Sequence, residues 1–335
     1  MTRHDIDPAS LIHCRMHWSR SSLRFLAVAA LLMSWEASAD DKKKQVFAWQ
    51  PEDSPSGPIL IVVNIDDQVA FVYRNGIQIG QTPVSTGRPG YPTPTGVFSI
   101  LGKDATHHSK KYHDAPMPYA ERLTWSGVFL HAGDLPGYPS SHGCVHLPLA
   151  FAKDLFETTQ AHDTTVVITQ SNSRPVNSAP PIEQLLTVVA ADTSGVESKG
   201  GVLWEPDKSK NGSIAIVISG ADKRIEILRA GVLIGQAPVS FADSSASLPE
   251  ALFLKLQPGP GKPDWSAVLM VGSQDASAPQ ILSTLQLPPP IGNEMKRLFV
   301  PGTLLITTPD SLSPESRSAT NFVGVQASEI ASASP

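Results

Sequence analysis

The stretch that decides the reading runs from Phe129 to Pro148, FLHAGDLPGYPSSHGCVHLP. Three glycines and three prolines within it exclude a helix and dictate a loop of tight turns. The apolar residues Val128, Phe129 and Leu130 read as the end of a buried strand. A strand therefore delivers His131 to the mouth of a loop, and the loop returns with Ser141-His142-Gly143-Cys144. Strand ends and their loops are where chemistry is displayed, and a thiol with a histidine able to take its proton is the minimal activated nucleophile.

These residues resemble the active-site motif of the L,D-transpeptidase (YkuD-like) family, an upstream HxG followed by [S/T]HGC. Here the motif is His131-Ala132-Gly133 with Ser141-His142-Gly143-Cys144, preceded by Ser85-Thr86-Gly87 and Thr93-Pro94-Thr95-Gly96. The resemblance spans roughly residues 45 to 170. One position departs from it: His146 stands two residues after the cysteine, where the family commonly has Arg or Asn.

The resemblance implies a mainly β catalytic domain acting on peptidoglycan stem peptides. Cys144 would attack the third residue of a tetrapeptide stem and release the terminal D-amino acid. The thioester would be resolved by the diaminopimelate amine of a second stem, by an envelope protein, or by water in a carboxypeptidase. His131 would be the general base, oriented by the Ala132 carbonyl, with Gly143 and Cys144 N–H as oxyanion donors. His142 would be structural or polarise the site. Ser141, Ala132, Gly133, His146, Thr95 and Gly96 would shape the substrate groove. No cofactor is implied. The rival readings are a non-enzymatic wall-binding protein and a papain-like peptidase. The latter is disfavoured because its histidine would follow the cysteine, and no orienting Asn or Asp is recognisable.

Outward from this centre, the chain of 335 residues is long enough for two domains. A net charge of -5 gives no reason to expect nucleic acid as a partner, and 30 prolines with 24 glycines favour a turn-rich β fold. Nothing in the sequence specifies an oligomeric state. Residues 1–39 read as a signal peptide: Arg15, Arg20 and Arg24, then the apolar FLAVAALLMSW, then Ala37-Ser38-Ala39. Translation from Met16 would leave a more usual signal. Removal of this segment takes Cys14 with it, so Cys144 is the single thiol of an exported, periplasmic or envelope protein.

After a spacer at residues 40–46, the catalytic domain is expected over 47–170. Asn75-Gly76 between alternating apolar runs signals a hairpin. LPLAFAKDLFETT, residues 147–159, reads as one amphipathic helix. Residues 103–122, polar and without period, read as a loop that could cover the substrate groove. His107, His108 and His113 match no common zinc spacing, so no metal is expected.

A linker at 171–201 leads to an internal repeat. Shifted by 155, residues 47–101 align with 202–256 without a gap, at 19 identities in 55 positions. Shifted by 140, Trp125-Ser126 falls on Trp265-Ser266 and Leu147-Pro148 on Leu287-Pro288. In that register His131, Ser141, His142, Gly143 and Cys144 become Val271, Ile281, Leu282, Ser283 and Thr284. Residues 202–308 are therefore expected to be a degenerate, catalytically dead copy of the YkuD-like β-sandwich. The Ser-rich tail, 309–335, reads as disordered.

Overall fold

The computed structural model describes residues 47–170, 174–175, 189–190, 201–241, 248–257, 265–270, 281–309 and 311–312. The expected signal peptide and spacer, most of the expected linker and nearly all of the expected tail lie outside the described residues. Among those described, no helix is long and apolar enough to cross a membrane. The chain is mainly β with few helices, in two successive β regions.

The first region holds β1 (Ala48–Trp49), β2 (Ile59–Asn64), β3 (Val69–Arg74), β4 (Ile77–Pro83), β5 (Gly96–Ser99), β6 (Gly102–Ser109), β7 (Ala115–Arg122), β8 (Phe129–Ala132), β9 (Val145–Leu147), α1 (Leu149–Thr158) and β10 (Thr165–Thr169). Six strands form one sheet in the order β1-β4-β3-β2-β10-β5, and four form a second, β6-β7-β8-β9. Asn75 and Gly76 turn the β3–β4 hairpin at φ 49 and 78°, the left-handed backbone that an Asn-Gly pair accepts at little cost. Ile61, Val63, Ala70 and Val72 point to a core closed by Leu130, Val145, Phe151 and Leu155. The helix expected after the active site is thus the lid of that core.

Residues 103–122 are not the loop that their polarity suggests. They form most of the β6–β7 hairpin, in register from Gly102↔Arg122 to Ser109↔Ala115. The hairpin projects, so both of its faces carry polar residues and the alternation that betrays a half-buried strand is missing. Pro116 and Pro118 are tolerated because β7 pairs with β8 only at Glu121 and Arg122, leaving the rest of that side an open edge. Lys103 anchors the root, donating to the carbonyls of Phe156 and Thr159 at the end of α1.

The second region adds β11 (Arg174–Pro175), β12 (Val189–Ala190), β13 (Leu203–Trp204), β14 (Ile214–Ser219), β15 (Arg224–Arg229), β16 (Val232–Pro238), β17 (Ala251–Lys255), β18 (Trp265–Met270), β19 (Gln286–Leu287), α2 (Pro289–Arg297) and β20 (Leu304–Thr308). Its sheet runs β11-β18-β17-β20-β14-β15-β16-β13, with β12 and β19 paired apart. Ladders of the first region recur here. β14 pairs antiparallel with β15 and parallel with β20, as β2 does with β3 and β10.

The larger sheets of the two regions share a core of their own. Leu60, Val62, Tyr73, Val97 and Val167 pack with Ala215, Val217, Leu228, Leu252 and Ile306. Leu60, Val62, Tyr73 and Val97 align with Ala215, Val217, Leu228 and Leu252 in the 155 register, and Val167 and Ile306 hold matching ladder positions beside Val62 and Val217, so the same face of each region meets the other. Both faces of β2 are therefore buried, which explains its unbroken apolar run.

Candidate active site

β8 and β9 lie side by side in parallel, with His131 level with His146 and Leu130 level with Val145. Neighbouring residues of parallel strands point to the same face, and so do residues two apart. His131, His146 and Cys144 therefore share one face of the four-stranded sheet. The His131 and His146 rings meet edge to face at 4.8 Å. Phe129, on the same face, packs with Met117, Ala120 and Cys144, and His107 of the hairpin stacks on it at 4.9 Å.

His131 is buried, and its Nδ1–H donates to the Ala132 carbonyl at 2.8 Å. A carbonyl can only accept, so the proton sits on Nδ1 and Nε2 is the basic nitrogen. Burial, helped by the neighbouring His146, pulls its pKa down to about 4, against the Ala132 bond that raises it. Burial also pushes the Cys144 thiol up, and the bond to Phe129 and the charge of Lys111 only partly oppose that. At neutral pH both are uncharged in the resting site. Sγ lies 3.6 Å from the Gly127 carbonyl, to which it can donate.

The loop around Cys144 is held by short bonds. Ser141 Oγ donates to Cys144 O at 2.6 Å and accepts Gly143 N–H at 3.1 Å. The Gly143 N–H is therefore engaged within the loop, and of the two expected oxyanion donors this leaves the Cys144 N–H. Ser141 acts as a clamp on the loop. Thr86 O accepts Ser141 N–H, and Ser85 exchanges two backbone bonds with His146. Gly87 must be glycine, because a Cβ there would lie 2.0 Å from Tyr91 O. Gly133 has the same kind of reason: a Cβ would lie 2.6 Å from the His146 ring.

His146 Nδ1–H donates to Asp134 O at 3.0 Å, and burial lowers its pKa, so it brings no charge to the site. His142 points out of the loop, exposed. Its Nε2 accepts from Arg88 at 2.6 Å, and its ring meets those of Tyr91 and Tyr112 at 4.7 and 4.6 Å. Tyr112 lies at the tip of the β6–β7 hairpin, so the hairpin does reach the active-site loop. Thr95 and Gly96 do not join it. They line a cavity of about 490 Å³ between the two β regions, with Val167, Val217 and Glu250. The threonine that touches the loop is Thr93, whose hydroxyl donates to Gly143 O at 3.0 Å and accepts Gly87 N–H.

Sequence reasoning missed Arg88, Tyr91 and Tyr112, and quoted Thr93 in the motif without giving it a role. The segment Gly87–Thr93 lay inside the quoted motif, but nothing in its spacing says which threonine turns inward. His107 and His108 are taken up locally, by Asp104 and by the Thr106 carbonyl.

This geometry agrees with the sequence comparison. Residues 58–168 match the YkuD L,D-transpeptidase catalytic domain. "L,D-transpeptidase 1" of Mycobacterium tuberculosis is 31% identical over 134 residues, which cover 35% of this chain and 53% of that protein. The chain thus spans about half the length of the curated relatives it matches. Among solved structures, an L,D-transpeptidase (Yku) from Stackebrandtia nassauensis is 29% identical, with a TM-score of 0.31, over 39% of this chain and 60% of that one. An LD transpeptidase in complex with imipenem is 26% identical, with a TM-score of 0.32, over 34% and 59%. The YkuD domain and the first β region coincide, and the second β region lies beyond the match.

Proposed function

We propose that the YkuD domain is an exported cysteine acyltransferase that cross-links peptidoglycan stem peptides through a thioester on Cys144. The observation that carries this is the Nδ1–H bond of His131 to Ala132 O, which leaves a basic Nε2 on the face that displays the only thiol among the described residues. His131 takes the thiol proton as Sγ attacks the carbonyl of the third stem residue, then passes it to the leaving D-amino acid. The Cys144 N–H faces the developing oxyanion. A diaminopimelate amine of a second stem, or an amine of an envelope protein, releases the acyl group.

The second region is, on this proposal, a degenerate copy without the chemistry. Leu282, in the place of His142, is fully buried in that region's own core, with Ile281 packed against it. Thr284, in the place of Cys144, turns back to bond Ile281 O through both its amide and its hydroxyl. Where the first region opens a loop, the second closes one.

Intact-mass measurement after incubation with a tetrapeptide stem tests the reading. The wild type should gain the mass of the acyl tripeptide, and a diaminopimelate-containing acceptor should discharge it as a cross-linked peptide. Cys144→Ala should gain nothing, and should also lose labelling by imipenem, the ligand of one similar structure. A mass gain that survives Cys144→Ala would refute the assignment.

A further inference from the structure

We infer that Arg88 anchors a free carboxylate on the peptide that acylates Cys144, an inference that rests on the function proposed above. Arg88 is exposed at the rim of the site, yet its guanidinium is not loose. One Nη donates to His142 Nε2 at 2.6 Å, and the group sits 5.0 Å from the centre of the Tyr91 ring. The His142 ring is in turn packed between Tyr91 and Tyr112. A guanidinium has five N–H donors and no acceptor. Tyr91 and His142 thus hold a cation against the residue two before the nucleophile, with most of its donors unspent. Among the described residues Arg88 makes no ion pair. A fixed, unpaired guanidinium fork fits a planar carboxylate, which takes two parallel N–H bonds.

The other cations near the loop are otherwise disposed. His146 is neutral, with Nδ1 bonded to Asp134 O. Arg122 lies over the rings of Trp125 and Phe129, and Lys103 is bound to the end of α1. Lys111, on the hairpin, carries a point charge without a fork. The repeat register adds a separate argument. Arg88 falls on Asp243 and His142 on Leu282, so the region without the nucleophile has neither the cation nor the group that holds it. The carboxylate assigned to Arg88 is that of the donor's C-terminal residue, which lies a few bonds from the carbonyl under attack.

The test compares two tetrapeptide donors, one ending in a carboxylate and one in a carboxamide, on the full-length mature chain. Acylation of Cys144 is followed by intact mass. The wild type should favour the carboxylate about tenfold or more in kcat/KM. Arg88→Gln should slow the carboxylate donor alone and erase that preference. Arg88→Lys should restore part of it, since it keeps the charge without the fork. Equal use of both donors by the wild type, or equal slowing of both by Arg88→Gln, overturns the inference and leaves the transpeptidase reading standing. Acylation by neither donor overturns both. If Arg88→Gln does not fold, the two donors on the wild type still decide the matter.

Discussion

The two β regions share a ladder plan and differ in what they do with the space beyond β8 and β18. In the first, a glycine-rich loop is clamped by Ser141, Thr93 and Ser85, and the tip of a hairpin meets it where Tyr112 touches His142. In the second, residues 281–287 of the stretch aligned with it turn Leu282, Leu285 and Leu287 into the core. A binding loop needs polar clamps because its backbone cannot be buried unpaired. Once those clamps are lost, apolar filling is the stable alternative. The comparison also shows what is kept in both: the faces that meet at Leu60, Val62, Ala215 and Val217 stay apolar.

The strongest way to break this comparison is to separate the regions. A chain ending at Gln170 would expose Leu60, Val62, Phe71, Tyr73, Val97 and Val167. At ~1.5–3 kcal/mol for each large apolar side chain, the loss is on the order of 10 kcal/mol, as large as a typical domain's whole stability. The shortened chain should therefore aggregate or melt far below the full-length protein in a thermal scan. A short chain with an unchanged melting temperature and full acylation would show the shared core to be dispensable.

The next test removes the imidazole that the second region lacks in the repeat register. His131→Ala should lower the rate of Cys144 acylation by about 10² or more, measured in a single turnover. If His142→Ala is the more damaging change, the proton goes elsewhere than His131 Nε2.

Two buried groups distinguish the first region in its pH response, and they act in opposite directions. His131 is lowered from 6.5 to about 4, so the folded state resists its protonation. Its contribution is full above pH 6.5 and is lost as pH falls towards 4, by about 3 kcal/mol. Glu121 is raised from 4.5 to about 7 by burial, which outweighs the pull of the Thr159 hydroxyl and Lys103. Its contribution is full below pH 4.5 and is lost as pH rises through 7. Between pH 4.5 and 6.5 the two slopes offset each other in the wild type. The urea midpoint of Glu121→Gln should then fall as pH drops through this window, and that of His131→Ala should fall as pH rises through it. Parallel pH profiles for the two variants would show that these groups do not titrate as buried.

The smallest effect sharpens the repeat itself. Ala230 stands where the first region has Asn75, at the same left-handed φ of 48°. An alanine there costs roughly 1–2 kcal/mol that Asn partly and Gly wholly avoids. Ala230→Gly should raise the melting temperature of the protein by a few degrees, corresponding to ~1 kcal/mol. Destabilisation would mean that the two hairpins are not equivalent.

Much of the first region was legible in the chain, because its signals are local. Asn75-Gly76 needs only its own φ angles, the α1 periodicity only its own turns, and the order HxG then SHGC only the sequence. The pairing of His131 with Ala132 O is likewise a contact between neighbours. The β6–β7 hairpin was not legible, since a strand that projects on both sides keeps no alternation. Nor was the choice of Thr93 over Thr95, which depends on how residues 87–93 fold against a loop fifty positions on.

The sequence by itself placed His131 and Cys144 in one motif and set residues 47–101 in register with 202–256, because motif and register reside in residue identity and spacing. Only the tertiary structure decided that Gly143 N–H is spent on Ser141, that His142 holds Arg88, and that the apolar faces of the two regions close on each other. Each of these depends on which donors and surfaces remain unpaired once the chain is folded, and that is a property of neighbours in space.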